Sequence, residues 1–499
     1  MNHLLIAPVL LPLFAGCLLL LAGHASRAAR GISLLATLAL LPIAALLLQQ
    51  AAGGQVQFYA LGNWQPPFGI ILVLDRLSAL MLLANAVLAS FALLYALRGD
   101  DRRGKHFHAL FQFQLLGLNG AFLTGDLFNL FVFFEILLIA SYALLLHGGG
   151  AGRVRAGVHY VVLNLVGSAF FLIAVGTLYG VTGTLNMADM AVRVAQLGAA
   201  DAPLVRAAAL LLLVVFGLKA ALLPLYFWLP RAYAEASAPV AALFSIMTKV
   251  GIYSILRVYT LIFGDHAGEL ANLAQAWLWP LALAGILVGT FGALAATRLQ
   301  GLLAYLVVVS AGTQLAVLAL GSAQSLAALL FYLLHSTWVV GGLFLLADLI
   351  ARQRGDKAGQ LVQGPALLQP QLLGALFFVG AIAVAGLPPF SGFFAKLLIL
   401  RSASGGEALA LWAVVLGSGL LVTVTLSRAG SMLFWNTGRS VLGNAERDPL
   451  RLLASVALLA SAVLLVLFAK PLQAYLQATA EQLLDVDLYR RAILAGGGA

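Results

Sequence analysis

Charge is scarce in this chain of 499 residues. Asp, Glu, Lys and Arg together make up 9% of it and hydrophobic residues 62%, where an ordinary soluble protein has about 25% charged residues. So few charges cannot cover the surface of a body folded in water, and mean hydropathy is +1.02. Soluble classes are thereby excluded. So is an extramembrane catalytic domain, because no polar stretch long enough to fold alone lies between the apolar runs. Cysteine is almost absent. Cys17 alone can neither close an internal disulfide nor ligate an iron–sulfur cluster. No Walker loop, dinucleotide fingerprint or His/Cys cluster at metal spacing is present, so neither a metal nor a cofactor is expected. Acidic residues are the rarer sign, 18 against 28 basic, for a net charge of +10. In a membrane chain that excess marks cytoplasmic loops and not nucleic-acid binding.

What the sequence has in quantity is long apolar runs. A membrane helix needs about 20 such residues. Fourteen runs qualify: 3–22, 31–49, 70–97, 107–124, 127–147, 159–181, 204–229, 238–263, 271–296, 300–320, 324–350, 372–402, 408–435 and 451–470. The expected fold is an all-α polytopic membrane protein of about 14 spans. Residues 471–491 are more polar, with Leu and Tyr at rough helical spacing, and are expected to lie as a helix on the membrane surface. Loops after odd-numbered spans hold sixteen Lys and Arg, among them Arg30, Arg153, Arg298, Arg352, Arg439 and Arg451; loops after even-numbered spans hold three. The positive-inside rule then puts the odd loops in the cytoplasm and both termini on the periplasmic side.

Six basic residues lie within the spans. Arg76, Arg257 and Arg428 stand toward span ends, from which they can snorkel to the interface. Lys219, Lys249 and Lys396 lie deep, each at a cost of about 2.5–3.5 kcal/mol on insertion scales. Glu135 is the one carboxylate near mid-span, whereas capping is enough to explain Asp75, Asp126 and Asp348. His335 is the mid-span histidine of the second half, with Ser336 and Thr337 beside it; His159 and Tyr160 open the sixth span and need no special role. Purely structural roles exist for each: a Glu135–Lys219 ion pair between helices, a neutral Lys249 on a backbone carbonyl, an interfacial Lys396. Three costly lysines in one chain favour function. Burial weakens a lysine's hold on its proton and a nearby carboxylate strengthens it. Lysines that gain and lose such partners, with a histidine and water between them, make a proton relay.

Two spans are interrupted. The seventh reads Gly217-Leu218-Lys219-Ala220-Ala221-Leu222-Leu223-Pro224 and the twelfth Gly386-Leu387-Pro388-Pro389-Phe390-Ser391-Gly392, with Lys396 following. Proline frees the carbonyl four residues before it, which a membrane tolerates only where protein or water covers it. The breaks at Pro224 and at Pro388 and Pro389 fall in the fourth span of two successive five-span units. That divides the chain into 1–106, holding the first three spans; 107–263, the first unit; 264–435, the second unit, inserted upside down; and 436–499, the last span and tail. Inverted repeats with broken helices are a transporter pattern.

These features resemble the antiporter-like subunits shared by respiratory complex I and Mrp-type cation/proton antiporters, over nearly the whole chain. Leu123-Thr124-Gly125-Asp126-Leu127-Phe128-Asn129 through Glu135, the stretch Lys219 to Pro230, and Ala238-Pro239-Val240-Ala241-Ala242-Leu243 followed by Lys249 are similar to the D subunit of the Mrp (Mnh, Pha) type. The resemblance implies roles by position. Glu135 and Lys219 match the glutamate–lysine pair of an input half-channel, Lys249 the connecting lysine, His335 the central histidine, and Lys396 the terminal lysine of an exit half-channel. A lysine at 396 departs from the complex I subunit called M, where glutamate is usual. The resemblance implies a secondary-transporter subunit, not an enzyme, in a bacterial inner membrane. It would work with sister subunits of a hetero-oligomeric antiporter, with protons and Na+ or K+ as its ions, the lipid bilayer around it and no nucleic acid. The alternative is a proton-pumping membrane subunit of a redox complex, NADH–quinone oxidoreductase or a membrane hydrogenase.

Overall fold

The computed structural model describes residues 3–22, 26–441 and 447–495, with 439–441 described by their backbone alone. The side chain of Arg439, counted among the loop cations, lies outside the described residues. The first two apolar runs become α1 (Ala7–Leu21) and α2 (Arg27–Ala51), the latter opened by Ser26, whose hydroxyl accepts from the Ala29 N–H. The third run, expected as one span from residue 70, divides. Strands β1 (Gln57–Ala60) and β2 (Ile71–Leu74) pair antiparallel, and α3 (Arg76–Ala96) begins after Asp75. The cause is local: β-branched Ile71 and Val73 suit a strand, and Asp75 with Ser78 forms a capping box that sets the helix start.

The chain continues through α4 (Phe107–Leu123), α5 (Leu127–Leu146), α6 (Ala151–Thr182), α7 (Met187–Ala195) and α8 (Ala202–Ala220). Asp126 caps α5 by accepting from the Asn129 N–H, and the Gly125 N–H before it donates to Ile71 O, fixing that turn to the hairpin. Then come α9 (Trp228–Glu235), α10 (Ala238–Phe244), α11 (Met247–Leu261), α12 (Gln275–Leu294), α13 (Leu299–Ala319) and α14 (Ala323–Arg352). The last part holds β3 (Gly364–Ala366), α15 (Pro370–Ala385), α16 (Ser391–Ser402), α17 (Gly405–Gly430), β4 (Thr437–Val441), α18 (Pro449–Leu467), α19 (Ala469–Leu484) and α20 (Val486–Leu494). Strands β3 and β4 pair in parallel. Among the described residues, 11 helical stretches are long and apolar enough to cross a membrane, with Ala7–Leu21 and Pro370–Ala385 as shorter apolar helices.

The run 204–229 is split into α8 and α9, and the run 372–402 into α15 and α16. The eighth run, expected to be continuous, is split too, into α10 and α11 at Ser245–Ile246. No proline or glycine announces that third break.

Helices α3, α10, α11, α13 and α14 are enclosed on nearly all sides, while α2, α6, α12 and α17 ring them and present Leu165, Ile173, Phe291, Leu409 and Leu420 outward. One end of the bundle gathers most of the charge. Asp101 accepts two bonds from Arg30, at 2.7 Å each, and faces His108 Nε2 at 3.1 Å. Its neighbour Asp100 binds Arg103, Arg352 and Arg451. This cluster joins α2, α4, α14 and α18. At the opposite end, Arg257 does not snorkel. It is 4% exposed and makes a two-pronged bond to Asp75 at 2.5 and 2.9 Å, because α20 covers it: its guanidinium lies 5.6 Å from the Tyr489 ring. The tail is likewise not one helix spread on the bilayer. Residues 469–494 form two helices whose apolar residues Leu476, Ala480, Leu483 and Ile493 are buried against the bundle.

Candidate functional site

The first break is built around Lys219. Helix α8 stops when Ala221 takes a left-handed conformation, φ 58°, and residues 222–227 run without helix. The Trp228 indole N–H donates to Leu218 O at 3.0 Å, covering one of the carbonyls that the break leaves open. Helix α11 crosses here in backbone contact. A Cβ on Gly251 would collide with Ala220 N and lie 2.7 Å from the Lys219 carbonyl carbon, so only glycine permits the crossing.

Lys219 is 7% exposed, and its Nζ donates to Asn164 Oδ1 at 2.8 Å. Glu135 is half-buried and accepts a short hydrogen bond from the Ser168 hydroxyl. The two expected partners therefore make no ion pair with each other; neighbouring polar groups of α6, four residues apart, hold them separately. They remain within electrostatic reach. A cavity of about 10 Å³, lined by Lys219, Asn164, Tyr160, Trp228 and Met247, adjoins the amine. That is room for roughly one water.

A polar cleft of about 460 Å³ opens at the arginine-rich end, lined by Arg153, Tyr233, Glu235, Ser237, Arg298 and Asp348 among others. Arg298 binds Glu235 at 2.6 Å, while Arg153 bonds backbone oxygens of Glu235 and His147. The Ser237 hydroxyl is buried there without a partner. Aromatic rings part this cleft from the Lys219 cavity. Tyr160 stacks on Trp228 at 5.1 Å, Trp228 meets Tyr233 at 6.1 Å, and Tyr233 meets Phe244 at 5.7 Å. Tyr160, expected to have no special role, thus walls the cavity, and its hydroxyl bonds Ser141 at 2.8 Å. His159 is exposed on the outside.

Lys249 sits in the first turn of α11, just past the unannounced break. It is 1% exposed and its Nζ reaches Thr248 Oγ1 at 3.3 Å. The break is tied to α14 by the Ser245 hydroxyl, which donates to Thr337 O at 2.9 Å. His335, also 1% exposed, lies within electrostatic reach of both Lys249 and Lys396. Its Nδ1 meets Ser391 Oγ at 2.8 Å. Ser391 opens α16, across the second proline break. There a Cβ on Gly392 would collide with Ala383 O and stand 3.0 Å from His335 Nε2, so the chain ends at this break close tightly around the histidine. Lys396 Nζ donates to Ala385 O at 2.6 Å. In a continuous helix that carbonyl would serve the N–H of residue 389, and proline has none. The lysine supplies the missing donor.

Lys219, Lys249 and Lys396 thus each stand beside a helix break, with Glu135 within electrostatic reach of Lys219, and His335 of Lys249 and Lys396. The sequence reading missed the groups that hold them: Asn164, Ser168, Ser245 and Ser391. Asn164 and Ser168 did leave a signal, two polar residues at i and i+4 in an apolar run.

Residues 124–421 match the family model described as NADH:quinone oxidoreductase/Mrp antiporter, TM. The chain belongs to the NADH:quinone oxidoreductase/Mrp antiporter family. Within the family, it is 42% identical to a Rhizobium meliloti protein named as the D subunit of a probable K(+)/H(+) antiporter, over 99% of this chain and 98% of that one. It is 36% identical to the D subunit of the Na(+)/H(+) antiporter of Alkalihalophilus pseudofirmus, over 99% of this chain and all of that one. Among solved family structures, a chain of the Mrp complex from Dietzia sp. superposes with a TM-score of 0.87 at 28% identity, covering 99% of this chain and 100% of that chain.

Proposed function

We propose that this chain is the proton-translocating subunit of a multisubunit Na+/H+ or K+/H+ antiporter in a bacterial inner membrane, and that it works only with its sister subunits. The observation that carries the reading is that Lys219, Lys249 and His335 are buried at membrane depth beside helix breaks, each held by a polar partner, with Lys396 on the carbonyl of the second proline break. Charged groups at membrane depth are retained where ions or protons move. The antiporter names of the relatives at 36–42% identity support it over a redox-pump subunit.

In this reading about 14 spans cross the bilayer with both termini periplasmic, and the arginine-rich end is cytoplasmic. Residues 107–263 and 264–435 act as inverted half-channels. Protons reach Lys219 from the polar cleft beside Glu235, past the Tyr160, Trp228, Tyr233 and Phe244 rings. They pass to Lys249 and His335 in the middle and leave by way of Lys396. The cation crosses mainly through a partner subunit, since a row of lysines repels a metal ion. At an effective dielectric of 20 a unit charge 4 Å away costs ~4 kcal/mol.

The test is exchange in everted vesicles from cells expressing the whole complex, with Na+ and K+ offered separately. Lys219→Ala, Lys249→Ala and Lys396→Ala should each abolish exchange while the complex assembles. Full exchange by an assembled variant would remove that residue from the relay.

A further inference from the structure

The charges around the polar cleft of about 460 Å³ do not balance. Arg103, Arg153 and Arg298 line it, against Glu235 and Asp348. Glu235 is taken by Arg298 at 2.6 Å, and Asp348 by Arg352. Arg103 has only a share of Asp100, which Arg352 and Arg451 also bind. Among the described residues Arg153 pairs with no carboxylate; its bonds go to the carbonyls of Glu235, His147 and Gly149.

Arg103 and Arg153 converge on bare backbone. Gly148, Gly149 and Gly150 take left-handed conformations, φ 87°, 67° and 107°, and lead into α6. A Cβ on Gly148 would lie 2.6 Å from Arg153 Nη1 and 3.1 Å from Arg103 Cβ. Helix α6 opens without a side-chain cap, and its first backbone bond runs from the Val154 N–H to Gly150 O. The N–H groups of Ala151, Gly152 and Arg153 are left as donors. Glu235 comes near, with Oε2 2.6 Å from where a Cβ on Gly152 would stand, but its Oε1 is held by Arg298. The same cleft is lined by Ser237, which is 5% exposed. Its hydroxyl is buried with no partner and does not cap α10.

We propose that this cleft binds a phosphate group, held by Arg103, Arg153 and the first N–H groups of α6, with the Ser237 hydroxyl as a further donor. Every one of these groups donates, and phosphate oxygens only accept. Guanidinium forks match phosphate in shape as well as charge, and a helix N-terminus favours an anion. Two sources carry that group. Helix α6 starts eight residues before its apolar run at 159, so its first turns stand at headgroup level, and Val154, Val158 and Val162 face outward. A phospholipid reaches the cleft from the bilayer with its chains along those valines, as headgroups do in basic pockets between membrane helices. Inorganic phosphate reaches it from the water. Binding here stands apart from the relay reading, and its test does not use exchange.

The complete complex is purified in a maltoside detergent, freed of lipid, and titrated with phosphatidylglycerol or with inorganic phosphate, chloride serving as the control for ionic strength. A ligand of the folded state raises the melting temperature, and at least one of the two should do so. Arg103→Gln with Ser237→Ala removes two donors, and Asp100 keeps Arg352 and Arg451. In that variant the half-saturating concentration should rise about tenfold or more, as for lost hydrogen bonds to a charged group. A cryo-EM map of the wild-type complex with the stabilising ligand should show phosphate density between Arg103, Arg153 and the start of α6. Stabilisation by inorganic phosphate assigns the free anion, and stabilisation by phosphatidylglycerol alone assigns the headgroup. No response to either, the same titration in the variant, or an empty cleft in the map would overturn the proposal. If the variant fails to assemble, the wild-type titrations and map decide alone.

Discussion

Asn164 stands between Lys219 and the glutamate it was expected to pair with: it takes the lysine's hydrogen bond at 2.8 Å, while Ser168, one turn further along the same helix, takes Glu135. Carboxylate and amine are close enough to feel each other's charge and too well held to touch.

Replacing Asn164 by Leu should therefore disturb the lysine more than its neutral character suggests. A hydrogen bond to a charged group contributes about 1.5–3 kcal/mol, so proton-coupled exchange should fall ~10- to 100-fold in assembled complex. Glu135→Gln and Lys219→Ala should be inactive singly, and the double variant little worse than either, since the two act in one unit. Vesicle exchange assays check both. Unchanged exchange in Asn164→Leu would mean that the lysine needs no anchor on α6.

The crossing of α8 and α11 should tolerate no side chain. Gly251→Ala forces a methyl into the backbone of Lys219 and Ala220 and should destabilise the fold by ~1–3 kcal/mol, as overpacking does. Ala221→Gly should have the opposite sign, because the left-handed turn costs alanine about 1–2 kcal/mol that glycine is spared. Thermal unfolding in detergent separates the two.

The Asp75–Arg257 bond is buried at both partners. Removing one partner leaves a lone charge, so Asp75→Ala should lose ~3–5 kcal/mol, while an apolar pair at both positions should recover all of that except roughly 1 kcal/mol for the lost Asp75 cap on α3. A double variant as unstable as the single one would contradict this account.

At the arginine-rich end, burial pushes the Asp101 carboxyl up, and the His108 and Arg30 bonds outweigh it, so its pKa is lowered in the folded chain. A lowered value means stability that is fully present above the unfolded carboxylate value of about 3.9 and is lost as pH falls from there through the folded value. Arg30→Met should lower thermal stability at pH 7 and flatten its fall on acidification. The melting temperature of the purified complex, followed from pH 7 downward, checks the slope.

Much of this was legible in the sequence because hydrocarbon leaves little choice: twenty apolar residues read as a span, and a lysine among them is conspicuous. The proline breaks at Pro224 and Pro388–Pro389 were equally plain. What stayed hidden was set by tertiary contact. The break at Ser245 has no proline or glycine, and the contact that marks it, the Ser245 hydroxyl on α14, is visible only in the folded chain. Arg257 looked like a snorkelling residue because its partner lies 182 positions away and its cover in α20. Ile71–Leu74 looked like the start of a helix because an apolar run of four has no period of its own, and only the partner strand makes it β.

The cover over Arg257 also sets an order of events during synthesis. The Arg76 N–H bonds Gln482, a residue 406 positions later. Ribosomes add about 5–20 residues per second, so a newly made Arg76 waits on the order of 20–80 seconds for that contact. The Asp75–Arg257 bond can form long before it, and until Tyr489 arrives the pair stands open to water. The nascent subunit thus passes through a stage with its spans made and the Arg257 end of the bundle unsealed. A partner that docks at that end meets the finished surface only after residues 469–494 have been made.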